Sequence, residues 1–167
     1  MGHLLVVMGV SGCGKSTIGR TLAQALAAPF LEGDDFHPAA NIDKMRSGTP
    51  LSDDDRAAWL DAVLLSVDRS QAPVLILSCS ALTPYVQQRL LNASTRQVSW
   101  LHLKAPFDVI RARLQNRKSH FMTERLLESQ FSALSPPDGV ITIDAQQPVS
   151  ACVDAALRRL ESHIFKG

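Results

Sequence analysis

The segment Gly9-Val10-Ser11-Gly12-Cys13-Gly14-Lys15-Ser16 follows the spacing G-x-x-x-x-G-K-[ST]. That spacing builds a loop for phosphate. Its glycines let the backbone curl until consecutive N–H groups face one anion. Lys15 supplies a mobile positive charge for the outer phosphates, and the Ser16 hydroxyl offers Mg²⁺ an oxygen. Gly9, Ser11, Gly12, Cys13, Gly14, Lys15, Ser16 and Thr17 are therefore the candidate nucleotide contacts, with Lys15 also catalytic and Ser16 the metal ligand. A chance match in a glycine-rich turn is the alternative, and the flanks weigh against it. An apolar run of strand length, Leu4–Met8, enters the loop, and a helix-spaced set (Ile18, Leu22, Ala25, Leu26) leaves it. The expected ligand is a nucleoside triphosphate. Cys13, among N–H dipoles at a helix N-terminus, is expected to be a reactive thiol.

The next chemistry-bearing run is Glu32-Gly33-Asp34-Asp35-Phe36-His37-Pro38. An acid at the carboxyl end of a strand, beside a phosphate loop, can orient or deprotonate an acceptor hydroxyl, or hold Mg²⁺ through water. An ordinary Asp-rich turn explains the same residues equally well. Ser52-Asp53-Asp54-Asp55-Arg56 precedes a helical pattern, and there capping is the simpler reading. Arg56 is different, because a cation in a first turn opposes the helix dipole. Holding an anionic substrate and pairing with its acidic neighbours are both open to it. The third apolar run ends in Ser78-Cys79-Ser80 without an acid. Switch and motor proteins want an Asp there for the magnesium shell, so its absence favours a small-molecule kinase. Arg111, Arg113, Arg117, Lys118 and His120 form a basic cluster. It reads as a lid over transferring charge, or else as a solvated helix end.

These residues need a frame. Strand patterns fall at Leu4–Met8, Phe30–Glu32, Val74–Leu77, Val98–Leu103 and Val140–Ile143. Helical faces fall between them, at Trp59-Leu60-Val63-Leu64-Val67, at Val109-Ile110-Leu114 and at Val149 through Ile164. Alternation of this kind predicts an α/β fold, a three-layer P-loop sandwich. It would have about five parallel strands, helices on both faces and a lid near 113–125. Ligands then sit beyond the carboxyl ends of the strands. The chain has 167 residues, 46% of them hydrophobic, which suits one domain with a real core over 1–167. Net charge is +1, so no field draws nucleic acid or an anionic membrane. No run approaches the ~20 apolar residues of a membrane helix, and no leader pattern opens the chain. The three cysteines, Cys13, Cys79 and Cys152, are isolated, which argues against disulfides and a zinc site and for the cytoplasm.

Taken together these residues resemble the gluconate kinase family over nearly the whole chain. The resemblance lies in Gly9 through Ser16, Gly33 through Pro38, Asn41 through Met45, Gly48 through Arg56 and Trp59-Leu60. It continues in Cys79 through Leu82, Arg117 through Met122, Leu126-Leu127, Ser129 through Phe131, and Asp144 with Gln147-Pro148. The resemblance implies Mg²⁺- and ATP-dependent formation of 6-phospho-D-gluconate, commonly by a homodimer. It implies that Asp34 orients the acceptor hydroxyl, that His37, Arg56 and His120 hold gluconate, and that Arg113 and Arg117 serve ATP. The chain departs from the family at Thr83-Pro84-Tyr85-Val86-Gln87, where a basic residue and a Tyr-Arg pair are usual. It departs again at Ser135-Pro136-Pro137, where acids are usual. A shikimate- or nucleotide-type kinase and a non-catalytic ATP-binding sensor are the rival expectations.

Overall fold

The structure is a computed structural model that describes residues 1–117 and 123–163. Five strands, β1 (His3–Met8), β2 (Phe30–Glu32), β3 (Val74–Ser78), β4 (Gln97–Lys104) and β5 (Ile141–Asp144), form one parallel sheet in the order β2-β3-β1-β4-β5. The central strand β1 is buried at all six positions, without alternation. That is the mark of a strand covered on both faces.

One face carries α1 (Lys15–Ala25) and α7 (Val149–His163), whose Ile18, Leu22, Val153, Ala156 and Leu160 close over Leu5 and Val7. The other carries α3 (Asp53–Arg69) and α4 (Pro84–Ala93), with Trp59, Leu60, Val63, Val86 and Leu90 over Leu4, Val6 and Met8. α5 (Phe107–Gln115) and α6 (Glu124–Ala133) add Ile110, Leu114 and Leu127 to the cluster on the first of these faces, and α2 (Ala39–Arg46) leads into α3. A short 3₁₀ turn covers Gly33–Phe36.

The strand order places the site. β1 sends its chain out past β3 to β2, whereas β3 sends its chain back past β1 to β4. Neighbouring strands whose connections part in opposite directions leave a crevice at their carboxyl ends, and ligands use it.

The sequence patterns locate all five strands, with ends shifted by a residue. They do not mark α2 or α4. α2 is short and has one buried residue, Asn41. α4 opens with Pro84 at its first turn, where a missing N–H costs nothing. Residue 164 of the expected last helix lies outside the described residues, as do Lys118 and His120 of the expected lid. The rest of 113–125 comprises the end of α5 and the start of α6. No helix among the described residues is long and apolar enough to cross a membrane.

Candidate active site

The loop after β1 is shaped by backbone. Gly9, Gly12 and Gly14 take φ of 147°, 83° and 101°, which disfavour a side chain. A Cβ on Gly9 would lie 2.7 Å from Cys13 Sγ and 2.9 Å from the Leu103 carbonyl. Cys13 is thus turned into the core at 1% exposure. This corrects the expectation of a reactive thiol: the loop presents the Cys13 backbone, and reagents cannot reach the sulfur. Lys15 folds back so that Nζ donates to the Val10 carbonyl at 3.0 Å, keeping the ammonium inside the loop. The Ser11 N–H donates to Gln130 Oε1 of α6 at 2.8 Å, which ties the helix after the expected lid to the loop.

The Ser16 hydroxyl donates to the Glu32 carboxylate, the last residue of β2. Glu32 is in register with Ser78 of β3. The carboxylate missing after β3 thus has a counterpart at the end of the neighbouring strand. Gly33 makes this possible, because a Cβ there would lie 2.4 Å from the Ser78 carbonyl. A hydroxyl and a carboxylate side by side at a phosphate loop suit Mg²⁺, which takes a few protein oxygens and leaves its other positions to phosphates and water. No cluster of three or more metal-binding side chains occurs among the described residues, and this ion does not need one.

Beside the loop lies a cavity of about 360 Å³. Lys15, Asp34, His37 and Arg56 all line it, together with Ser11 and Gln130. Five of the residues singled out from the sequence, Ser11 included, thus meet in one place, from the loop, the 3₁₀ turn and α3. Asp34 is 71% exposed to the cavity and solvent, and its carboxylate lies 4.0 Å from His37 Nε2. Arg56 is half-buried, and its guanidinium donates to Asp53 at 3.2 Å. The ion pair with an acidic neighbour exists, and it holds Arg56 at the cavity wall.

A network of side chains fixes this wall. Trp59 Nε1–H donates to the Gly33 carbonyl at 2.7 Å, locking α3 to the turn that carries Asp34. The indole stacks on the His37 ring, with centroids 4.5 Å apart and planes 14° from parallel. Ser52 and Asp55 form a reciprocal capping box at the start of α3. Lys44 of α2 donates to both Asp55 oxygens at 2.8 and 2.7 Å. The hydrogen bond from Lys44, aided by those from Ser52, holds the Asp55 carboxyl down to about 2. Burial pushes the His37 ring below its usual value; Asp34 pulls it up and Arg56 pushes it down again. Beneath the site the Cys79 thiol is pushed up to about 12 by burial, so it stays protonated and inert.

The basic cluster is divided. Arg113 donates to the Ala145 carbonyl at 2.6 Å and does not line the cavity. Arg117 is exposed just past the end of α5. Arg111 pairs with Asp108 and with Glu124, both at 3.3 Å, clipping α5 to α6. His120 lies outside the described residues. Sequence reasoning placed Asn41 and Gln130 only within runs that carry the family resemblance and gave them no role, and it left Glu32 within the acidic run. Glu32 could have been found as the first acid of that run, whereas nothing local shows what Gln130 touches, since its partner Ser11 is 119 residues away.

A phosphate loop, a β2-β3-β1-β4-β5 sheet and an acceptor-sized cavity beside the loop define a small-molecule kinase of the P-loop class. The AAA domain family profile matches residues 4–137. The thermoresistant gluconokinase of Escherichia coli (strain K12) is 41% identical over 162 residues, spanning 93% of this chain and 91% of that protein. The gluconokinase of Gluconobacter oxydans (strain 621H) is 36% identical, spanning 96% and 92%. Among solved structures, a gluconokinase from Sinorhizobium meliloti 1021 superposes with a TM-score of 0.85 at 37% identity, covering 98% of this chain and 95% of that one. The shikimate kinase of Aquifex aeolicus, with a TM-score of 0.63 at 19% identity, shares the fold alone. The chain belongs to the gluconokinase family.

Proposed function

We propose that the chain transfers the γ-phosphoryl group of Mg·ATP to the terminal hydroxyl of D-gluconate, giving 6-phospho-D-gluconate and ADP. The observation that carries this reading is that Lys15 of the phosphate loop shares one cavity with Asp34, His37 and Arg56. The loop amides and Lys15 hold the phosphates. Asp34 orients the hydroxyl and accepts its proton as the new O–P bond forms and the bond to ADP breaks. His37 and Arg56 hold the sugar acid, Arg56 by its charge on the carboxylate. Ser16, with Glu32 beside it, would hold Mg²⁺, which neutralises phosphate charge when bound. Arg113 and Arg117 serve the nucleotide side, and with His120 they carry the expected lid's role of offsetting the transferring charge. The rate comes mainly from positioning and electrostatics. A homodimer, which rests on the family resemblance, and a cytoplasmic setting, which rests on the isolated cysteines, complete the reading.

A coupled assay with Mg·ATP across gluconate, shikimate and nucleoside monophosphates tests it. Turnover of gluconate alone is expected. Turnover of another acceptor in its place moves the chain to a rival kinase class, and ATP binding without turnover makes it a sensor.

A further inference from the structure

Asn41 is the one buried residue of α2, at 3% exposure, and it is polar. Its amide nitrogen donates to the Asp55 carbonyl at 2.8 Å. A carbonyl only accepts, so this bond fixes which end of the amide is nitrogen. The same nitrogen lies 3.2 Å from His37 Nδ1. Its second hydrogen points there, so Nδ1 must offer a lone pair. A neutral imidazole carries one proton, and with Nδ1 accepting, that proton sits on Nε2. Nε2 is the nitrogen that faces Asp34, 4.0 Å away, and His37 lines the cavity.

We propose that Asn41 is a positioning residue that fixes His37 as a neutral ring protonated on Nε2. His37 then serves as a hydrogen-bond donor to an oxygen of the acceptor. The assignment rests on the reading of the cavity as an acceptor site and divides its labour. The only basic nitrogen of His37 is turned away onto Asn41, so the ring cannot take the acceptor's proton, and that task falls to Asp34. A ring held neutral brings no charge to the acceptor carboxylate, which leaves charge recognition to the cavity's guanidinium groups.

The surroundings agree. Protonating Nδ1 would set its N–H against the Asn41 amide hydrogens, which disfavours the cation. Burial and the Arg56 charge act in the same sense, and Asp34 alone opposes them. Lys44 and Asp55 pair with each other on the far side of Asn41. The Trp59 face holds the ring in plane.

The first test reads the ring directly. Two-bond ¹H–¹⁵N correlation on the uniformly labelled full chain shows which ring nitrogen bears hydrogen. The His37 resonances are identified by their loss in His37→Gln. The expected pattern at neutral pH is an unprotonated Nδ1 and a protonated Nε2. A proton on Nδ1, or a charged ring, overturns the assignment whether or not gluconate is the substrate. The second test follows the same ring-nitrogen resonances across pH in Asn41→Asp. The substitution replaces the donor by a carboxylate of the same shape, which favours a proton on Nδ1 and a cationic ring. Nδ1 is expected to gain hydrogen and the ring's titration to move up by about one pH unit or more. An Asn41→Asp chain whose His37 ring titrates as in wild type overturns the positioning role. Should that variant fail to fold, the ring-nitrogen pattern of the unmodified chain still decides. If no acceptor turns over, the proposed function falls, and the tautomer is read independently of it.

Discussion

The two halves of the site are built from different materials. The phosphate half is backbone: a loop of eight consecutive residues whose glycines take φ of 147°, 83° and 101°. Lys15 is anchored within that same loop. The acceptor half is side chains drawn from a 3₁₀ turn, α2 and α3, held by the Trp59–Gly33, Asn41–Asp55 and Lys44–Asp55 contacts. A phosphate is bound by dipoles that any sequence with the right turns can supply. A particular polyol acid needs particular donors and acceptors at particular places. The phosphate half can therefore be local in sequence, while the acceptor half depends on tertiary packing and fails when distant contacts are lost.

Five outcomes sharpen or break this division. The largest effect is expected at Asp34, where charge and proton move in the transition state. Asp34→Asn should lower kcat by ~10²–10⁴-fold and leave the gluconate KM nearly unchanged. Steady-state kinetics with both substrates checks it. Lys15→Ala should cost about 10²–10³ in kcat/KM for ATP, with gluconate binding and the melting temperature near wild type. If Lys15→Ala damages gluconate binding instead, the halves are not separate. Arg56→Ala should raise the gluconate KM by roughly 10–150-fold, the equivalent of about 1.5–3 kcal/mol for a hydrogen bond to a charged group. ATP parameters should hold, and an ATP defect would place Arg56 on the phosphate half.

Trp59→Phe keeps a ring but leaves the Gly33 carbonyl without its donor. A loss of about 1–3 kcal/mol is expected, or roughly 2–12 °C in Tm, together with a weaker gluconate KM. A lower Tm with unchanged gluconate kinetics would show that the wall does not need this lock. The smallest effect is in acid. The Asp55 carboxyl lies at about 2, against 3.8 for a free side chain. Its contribution is complete above 3.8 and disappears as pH falls toward 2. Thermal melts across that interval should be steeper for wild type than for Asp55→Asn.

The same division explains what could be read from the sequence. The loop, its strand and its helix are contiguous, so spacing alone located them. Strands with β-branched apolar runs were legible because parallel sheets bury both faces. Asp34, His37 and Arg56 could be suspected from their residue types, but their meeting in one cavity could not. It depends on the β2-β3-β1 strand order and on a glycine at 33 that presses the turn against β3. The Glu32–Ser16 pairing was hidden for the same reason, since the strand adjacency that brings β2 to β3 leaves no local trace. The Cys13 expectation failed because the dipole argument spoke of acidity and ignored which way the side chain turns. α2 escaped notice because its one buried residue is an asparagine, which apolar periodicity does not count.

The stacking of Trp59 on His37 gives this chain a built-in optical gauge. The chain has two tryptophans, Trp59 and Trp100. Trp100 lies buried on β4 and does not touch the cavity, so its emission is a steady background. Trp59 itself lines the cavity and has its face against His37, so the surroundings of one indole change when the cavity fills. The emission of a single residue therefore follows what enters beside it, and acceptor occupancy can be followed in the unlabelled protein in real time.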